Sequence, residues 1–175
     1  MTIYMMRHGK TRANIEKYYA TEDEPILPVR NEKIREIAKT LEKLGFKSIV
    51  TSPYLRARET AQLIGDVLKL PVTVEEKIHE IDLGVMEGKT FKEAYDLYGD
   101  ALQAWIDDPY TNGPPKGESL KEAYRRGEDF LSWAREDTLY VSHDGFIRSV
   151  LCARDGHIGN FFRYKIDNLE IVKIK

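Results

Sequence analysis

Cysteine is almost missing from this chain. The only one, Cys152, lies in the apolar stretch 146–153. Neither a disulfide framework nor a thiolate metal cluster can be built from it, and a buried, inert thiol is expected. An excess of basic charge is missing too. The formal net charge of −2 leaves no basic face of the kind nucleic acid requires, so no nucleic-acid partner is expected. No apolar run approaches the length of a membrane span, and no signal-type apolar segment opens the chain. The expectation is a cytoplasmic protein with no membrane partner. None of the four histidines is spaced as an HxxxH ligand pair, so neither metal nor cofactor is expected. Internal repeats, low-complexity tracts and long linkers are absent from the 175 residues, and residues 1–175 read as a single domain.

What is there is an alternation of short β-rich apolar runs with amphipathic segments of helical period, the pattern of an α/β domain. Residues 2–6, 47–51, 71–74 and 138–142 read as strands. Residues 30–44, 54–70, 89–106 and 146–153 read as helices. Ser119, with Glu122 three residues on, predicts a capping box that starts a helix reaching about residue 135. The tail 161–175 reads as one or two strands at a sheet edge, and 109–117, with three prolines and two glycines, as loop. The aromatic run Tyr95, Tyr98 and Trp105 reads as core, with a pocket roof as the lesser alternative. His79 and His157 read as solvated loop residues.

Parallel strands separated by helices align their C-terminal ends, and ligands bind in the crevice outside them. The first strand leads into Arg7-His8-Gly9, followed by Thr11 and Asn14. The second ends at Ser52-Pro53, with Arg56 in the next turn. The third leads to His79-Glu80, and the fourth ends at His143-Asp144-Gly145. Two histidines, two arginines and a carboxylate thus meet at one edge, beside helix N-termini that favour anions.

This set suits transfer of a phosphoryl group to a protein nucleophile. The arginine fork matches phosphate oxygens in pairs, and neutral imidazole is a competent nucleophile. His8 is the candidate nucleophile, and the two arginines are expected to keep it unprotonated. Glu80 is the candidate acid, protonating the leaving oxygen and then activating water; Asp82 and Glu87 lie close enough to exchange roles with it. Helix phase selects Arg56 over Arg58: Arg56 heads the apolar row Thr60, Leu63, Ile64 and Val67, while Arg58 shares the polar face. Thr11 reads as a local cap and Glu118 as an organiser of the loop before Ser119.

These residues fall in blocks that resemble the histidine phosphatase superfamily, the group that includes the cofactor-dependent phosphoglycerate mutases. The blocks are Arg7-His8-Gly9-Lys10-Thr11-Arg12-Ala13-Asn14; residues 52–61 around Arg56; residues 80–88 beginning at Glu80; Gly117-Glu118-Ser119; and Val141-Ser142-His143-Asp144-Gly145. The resemblance implies that Arg7, Asn14, Arg56 and His143 hold the phosphate, helped by the Asp144 backbone N–H. It also implies a three-layer α/β/α sandwich with a mostly parallel sheet and one antiparallel strand. Lys10, Ala20, Arg30 and Met86 depart from common family residues, which bears on the substrate rather than the chemistry.

The expected activity is that of a histidine acid phosphatase-type phosphomonoesterase acting on small phosphorylated metabolites through a phosphohistidine. The short segment between Glu80 and His143 and the short tail favour hydrolysis over a mutase reaction. A mutase, a phosphohistidine protein phosphatase and a non-catalytic phospholigand-binding module stand as alternatives. The last is disfavoured because binding alone would need only the arginines. The expected partner is a small-molecule phosphomonoester, and a homodimer is left open.

Overall fold

The computed structural model describes residues 2–175. Five short strands form one sheet: β1 Tyr4–Arg7, β2 Ser48–Thr51, β3 Val72–Val74, β4 Thr138–Ser142 and β5 Ile171–Lys173. Their order across the sheet is β3-β2-β4-β1-β5. All neighbours are parallel except β5, which runs antiparallel to β1 at the edge. The central strand β4 is buried at every residue. A strand covered on both faces needs no polar alternation, which is why Thr-Leu-Tyr-Val-Ser reads as nearly continuous core.

The two-residue side-chain period sorts each strand between two apolar layers. Met5 and Tyr140 pack with Phe130 and Phe146, which come from helices α6 (Leu120–Trp133) and α7 (Asp144–Asp155). Met6, Leu139 and Val141 face the other way. They pack with Ile34, Ala38, Ala57 and Ile64 of α2 (Asn31–Leu41) and α3 (Leu55–Leu68). The architecture is the expected three-layer sandwich with a single antiparallel strand.

Local signals explain where the helices start. Ser119 Oγ accepts the Glu122 N–H, and Glu122 Oε2 accepts the Ser119 N–H at 2.7 Å, the capping box that the spacing predicts. The helix α1 (Arg12–Glu16) is capped in the same way by Thr11 and Asn14. Its five residues are too few to carry a readable apolar period. Helix α7 begins two residues before the apolar stretch that marks it in the sequence, because His143 adopts the extended N-cap conformation.

Other expectations are corrected. Residues 30–44 form not one helix but α2, flanked by 3-10 turns at Pro28–Arg30 and Glu42–Leu44. The segment 89–106 breaks at Gly99, whose φ of 45° lies outside helical space. It is split into α4 (Phe91–Tyr98), a 3-10 turn and α5 (Gln103–Asp107). Tyr95 and Tyr98 are not core: both stand on exposed positions of α4. The tail supplies one edge strand, β5, within the one or two expected, and adds an unforeseen 3-10 segment, Ile158–Arg163.

Helices α6 and α7 pack backbone to backbone at Gly127, where an added Cβ would lie 2.8 Å from the Ser149 carbonyl oxygen. Backbone cannot yield as a side chain does, so bulk here must push the two helices apart. Gly127→Val is expected to destabilise the fold by about 2 kcal/mol, overpacking outweighing the small gain in helix propensity. Urea denaturation measures this, and an unchanged midpoint would refute the close-packing account.

Candidate active site

Sheet topology delivers the chemistry. The ends of β1, β2 and β4 lie side by side, and the chain after β3 returns through a 3-10 turn at Glu76–Ile78 to place His79-Glu80 near them. Arg7, His8, Asn14, Arg56, Glu80 and Glu87 all line one cavity of about 140 Å³.

His8 is 4% exposed, and its backbone N–H continues the ladder to the Ser142 carbonyl at 3.0 Å. Its Nδ1 lies 2.7 Å from the Gly9 carbonyl oxygen. A carbonyl only accepts, so the proton sits on Nδ1 and the lone pair on Nε2. The following Gly9 N–H donates to Thr60 Oγ1 at 2.9 Å, tying the nucleophile loop to α3. The imidazole pKa is held well below its ordinary value. Burial is the main cause and Arg56 the next, with Arg7 contributing least. The neighbouring arginines alone predict this direction, but desolvation outranks them because the ring has almost no contact with water.

Arg56 is 3% exposed, as the helix-phase argument requires, whereas Arg58 is exposed. The Arg56 Nε donates toward His8 Nε2 at 3.3 Å, and one terminal nitrogen donates to the Thr21 carbonyl at 2.7 Å. Arg7 is anchored through a 2.6 Å bond to the Ile166 carbonyl, while its Nε is buried with no partner within the protein. Asn14 Oδ1 accepts from the Thr11 N–H and from Asn168 Nδ2, each at 3.1 Å. With the oxygen so occupied, the amide nitrogen is left to donate into the cavity that Asn14 lines.

His143 stands beside His8 with ring centroids 5.1 Å apart; it is fully buried and is not part of the cavity wall. Its Nε2 pairs with Ser52 Oγ at 2.7 Å, and its Nδ1 is buried without a partner within the protein. Ser52 Oγ also accepts the Tyr54 N–H at 3.3 Å, which ties the ring of His143 to the start of α3. Burial, followed by Arg56 and then His8, keeps this ring neutral too. The Asp144 carboxylate pairs with Arg148 at 2.7 Å, and Asp144 lines a neighbouring cavity. Its backbone N–H is the first of α7, beyond the reach of any carbonyl in that helix.

Glu80 sits on the N-terminus of α7. Its Oε1 accepts the Ile81 and Phe146 amides at 2.8 and 3.0 Å, and its Oε2 accepts only the Gly145 amide at 3.2 Å. Those amides and Arg56 favour the anion, but burial and the nearby Asp144 charge prevail and raise the pKa. Glu87 is also raised, by burial and by Asp82 and Glu22. His79 is half-buried rather than solvated, with its ring 6.0 Å from Tyr54. Among the described residues, no group of three or more His, Cys, Asp or Glu side chains is placed to hold a metal ion. No helix among them is long and apolar enough to cross a membrane.

A family model for the histidine phosphatase superfamily, branch 1, matches residues 3–175. The chain belongs to this superfamily, and with it to the phosphatases. It is 28% identical to phosphoserine phosphatase 1 of Hydrogenobacter thermophilus over 95% of this chain and 82% of that protein. It is also 28% identical to adenosylcobalamin/alpha-ribazole phosphatase of Escherichia coli, over 88% of this chain and 78% of that one. In fold it resembles the alpha-ribazole phosphatase of Shigella flexneri, with a TM-score of 0.88 over 99% of this chain and 89% of that chain, at 22% identity.

Within this histidine phosphatase site, three supporting residues escape the sequence reading. Thr60 and Asn168 carry no local signal: one is a helix hydroxyl and the other lies in a tail read as strand. Asn168 Nδ2 reaches both the His8 carbonyl and Asn14 Oδ1. Ser52 was visible as a polar residue ending a strand, but its contact with His143, 91 positions away, was not. Glu118 organises its loop as expected, accepting the Asp82 N–H and pairing with Arg126 at 2.9 Å.

The seat of Glu80 depends on Gly145, where an added Cβ would lie 2.6 Å from Glu80 Oε1. Gly145→Ala is expected to lower phosphate-ester turnover at least about tenfold by displacing the carboxylate, with the fold retained. Steady-state kinetics beside circular dichroism check this; full turnover would mean that the seat is dispensable.

Proposed function

We propose that this chain is a metal-independent phosphomonoesterase that hydrolyses small phosphorylated metabolites through a phosphohistidine on His8. The observation that carries the reading is a neutral His8, its lone pair on Nε2, lining one cavity with Arg7, Arg56, Asn14 and Glu80. A phosphoryl group there displaces the weak Arg56–His8 contact and takes the arginine N–H groups onto its oxygens. Arg7 Nε and the Asn14 amide offer the anion further N–H donors on the same wall; in this reading His143 and the Asp144 N–H, which lie next to that wall rather than on it, join them. Positive charge for the equatorial oxygens thus comes from side chains, so no metal is called for.

In the first step His8 Nε2 attacks phosphorus and the ester P–O bond breaks. Glu80 gives its proton to the leaving oxygen, releasing the alcohol. Glu80 Oε2 is the oxygen that carries this proton, because it accepts a single long amide contact while Oε1 accepts two shorter ones. In the second step ionised Glu80 takes a proton from water as the water attacks phosphorus. The P–N bond breaks, inorganic phosphate leaves, and the pair returns to its starting protonation. The phosphatase names of the relatives support a phosphomonoester substrate.

The acid-type pH preference belongs to the same reading. A lowered His8 pKa keeps the nucleophile free of its proton into the acid range, and a raised Glu80 pKa keeps the acid protonated above the ordinary carboxyl range. Activity then falls at low pH as His8 gains a proton and at higher pH as Glu80 loses one. Glu80→Gln is expected to lower kcat by about a hundredfold or more and to abolish the alkaline limb of the kcat/KM profile. An unchanged limb in that variant would assign the acid elsewhere.

Phosphate release from a panel of phosphomonoesters in EDTA tests the whole mechanism. His8→Ala is expected to remove activity entirely. Activity surviving that substitution, or lost on chelation, would overturn it, and accumulation of 2-phosphoglycerate from 3-phosphoglycerate would favour a mutase.

A further inference from the structure

A cavity of about 140 Å³ holds a phosphoryl group and little more, so the alcohol portion of a substrate must lie beyond it. A second cavity, of about 300 Å³, begins where the first ends: Tyr19, Glu80, Ile81 and Leu83 line both. Glu80 is therefore the partition between them, which is where the leaving oxygen of an ester bridging the two would sit. The far walls of the second cavity are Trp105, Leu120, Phe161 and Phe162.

The charged groups on these walls are already spoken for. Arg148 pairs with Asp144 at 2.7 Å and lies over the Phe161 ring at 5.6 Å. Glu118 is paired with Arg126, and the Glu80 oxygens accept backbone amides. No cation is left over for a carboxylate or a second phosphate. Glu87 on the wall of the first cavity, with Asp82 and Glu22 near it, adds negative field at the approach, which Arg56 and Lys89 offset only in part. Phe162 is 62% exposed beside this cavity, apolar surface that a bound ring would cover.

We propose that the second cavity is the leaving-group subsite and that it selects phosphomonoesters of uncharged, mainly apolar alcohols, aromatic ones foremost. This rests on the phosphomonoesterase reading above. Apolar contact with Trp105 and Phe162 supplies the binding energy. A carboxylate-bearing alcohol would enter desolvated, unpaired and facing acidic groups.

The experiment compares kcat/KM of the wild-type chain for 2-phenylethyl phosphate, glycerol 3-phosphate, O-phosphoserine and 3-phosphoglycerate. All four release an alkyl alcohol, so leaving-oxygen acidity differs little among them. The phenylethyl ester is expected to lead the others by at least about tenfold. Trp105→Ala and Phe162→Ala are expected to narrow that lead, chiefly through KM; the exposure of Phe162 makes its truncation safe for the fold. Equal or faster turnover of the carboxylated esters would overturn the subsite and leave the phosphatase reading standing. So would a lead that neither substitution narrows. Failure to hydrolyse any ester, before or after varying pH, would remove both together.

Discussion

The arrangement depends on one hydrogen bond between neighbours in sequence, His8 Nδ1–H to the Gly9 carbonyl. It fixes the tautomer, and the tautomer decides which nitrogen holds a lone pair. Burial then keeps the ring neutral, since a protonated imidazole with so little water around it, beside Arg56, would be costly. Holding this geometry takes contacts from distant segments. The Ser142 carbonyl holds the His8 amide, Thr60 holds the Gly9 amide and Asn168 holds the His8 carbonyl. The ring orientation is therefore a product of β1, β4, α3 and the tail acting together.

Glu80 shows the complementary balance. Two amides in the first turn of α7 and the amide of Ile81 would ordinarily drive a carboxylate pKa down, yet burial and Asp144 prevail. The amides position the group while desolvation keeps its proton on, so one carboxyl is both fixed and protonated. The same seat makes Glu80 the boundary between a polar, arginine-lined cavity and an apolar, aromatic one. Transfer of charge at the phosphorus and recognition of the alcohol thus meet at a single side chain.

How much of this was legible in the sequence differed by type of signal. The helical period of residues 54–70 gave α3, a short continuous apolar run gave the buried β4, and the Ser119–Glu122 spacing gave the cap that starts α6. Short elements such as α1 were silent because five residues do not express a period. The stripe at Tyr95 and Tyr98 misled because Gly99 ends α4 and leaves that face in solvent. Helix phase separated Arg56 from Arg58 correctly, since which side of α3 meets the sheet is written in its apolar row.

By itself the sequence determined the class of fold, the strand ends that converge and the residue types that meet there. Those follow from local pattern and from the geometry of parallel strands, which need no knowledge of distant contacts. Only the tertiary structure decided the protonation of His8 and Glu80, the pairing of His143 with Ser52, and the neutralised, aromatic walls beside Glu80. Desolvation and long-range hydrogen bonds set these, and both depend on which remote segments cover a group. No neighbouring residue in the chain records that.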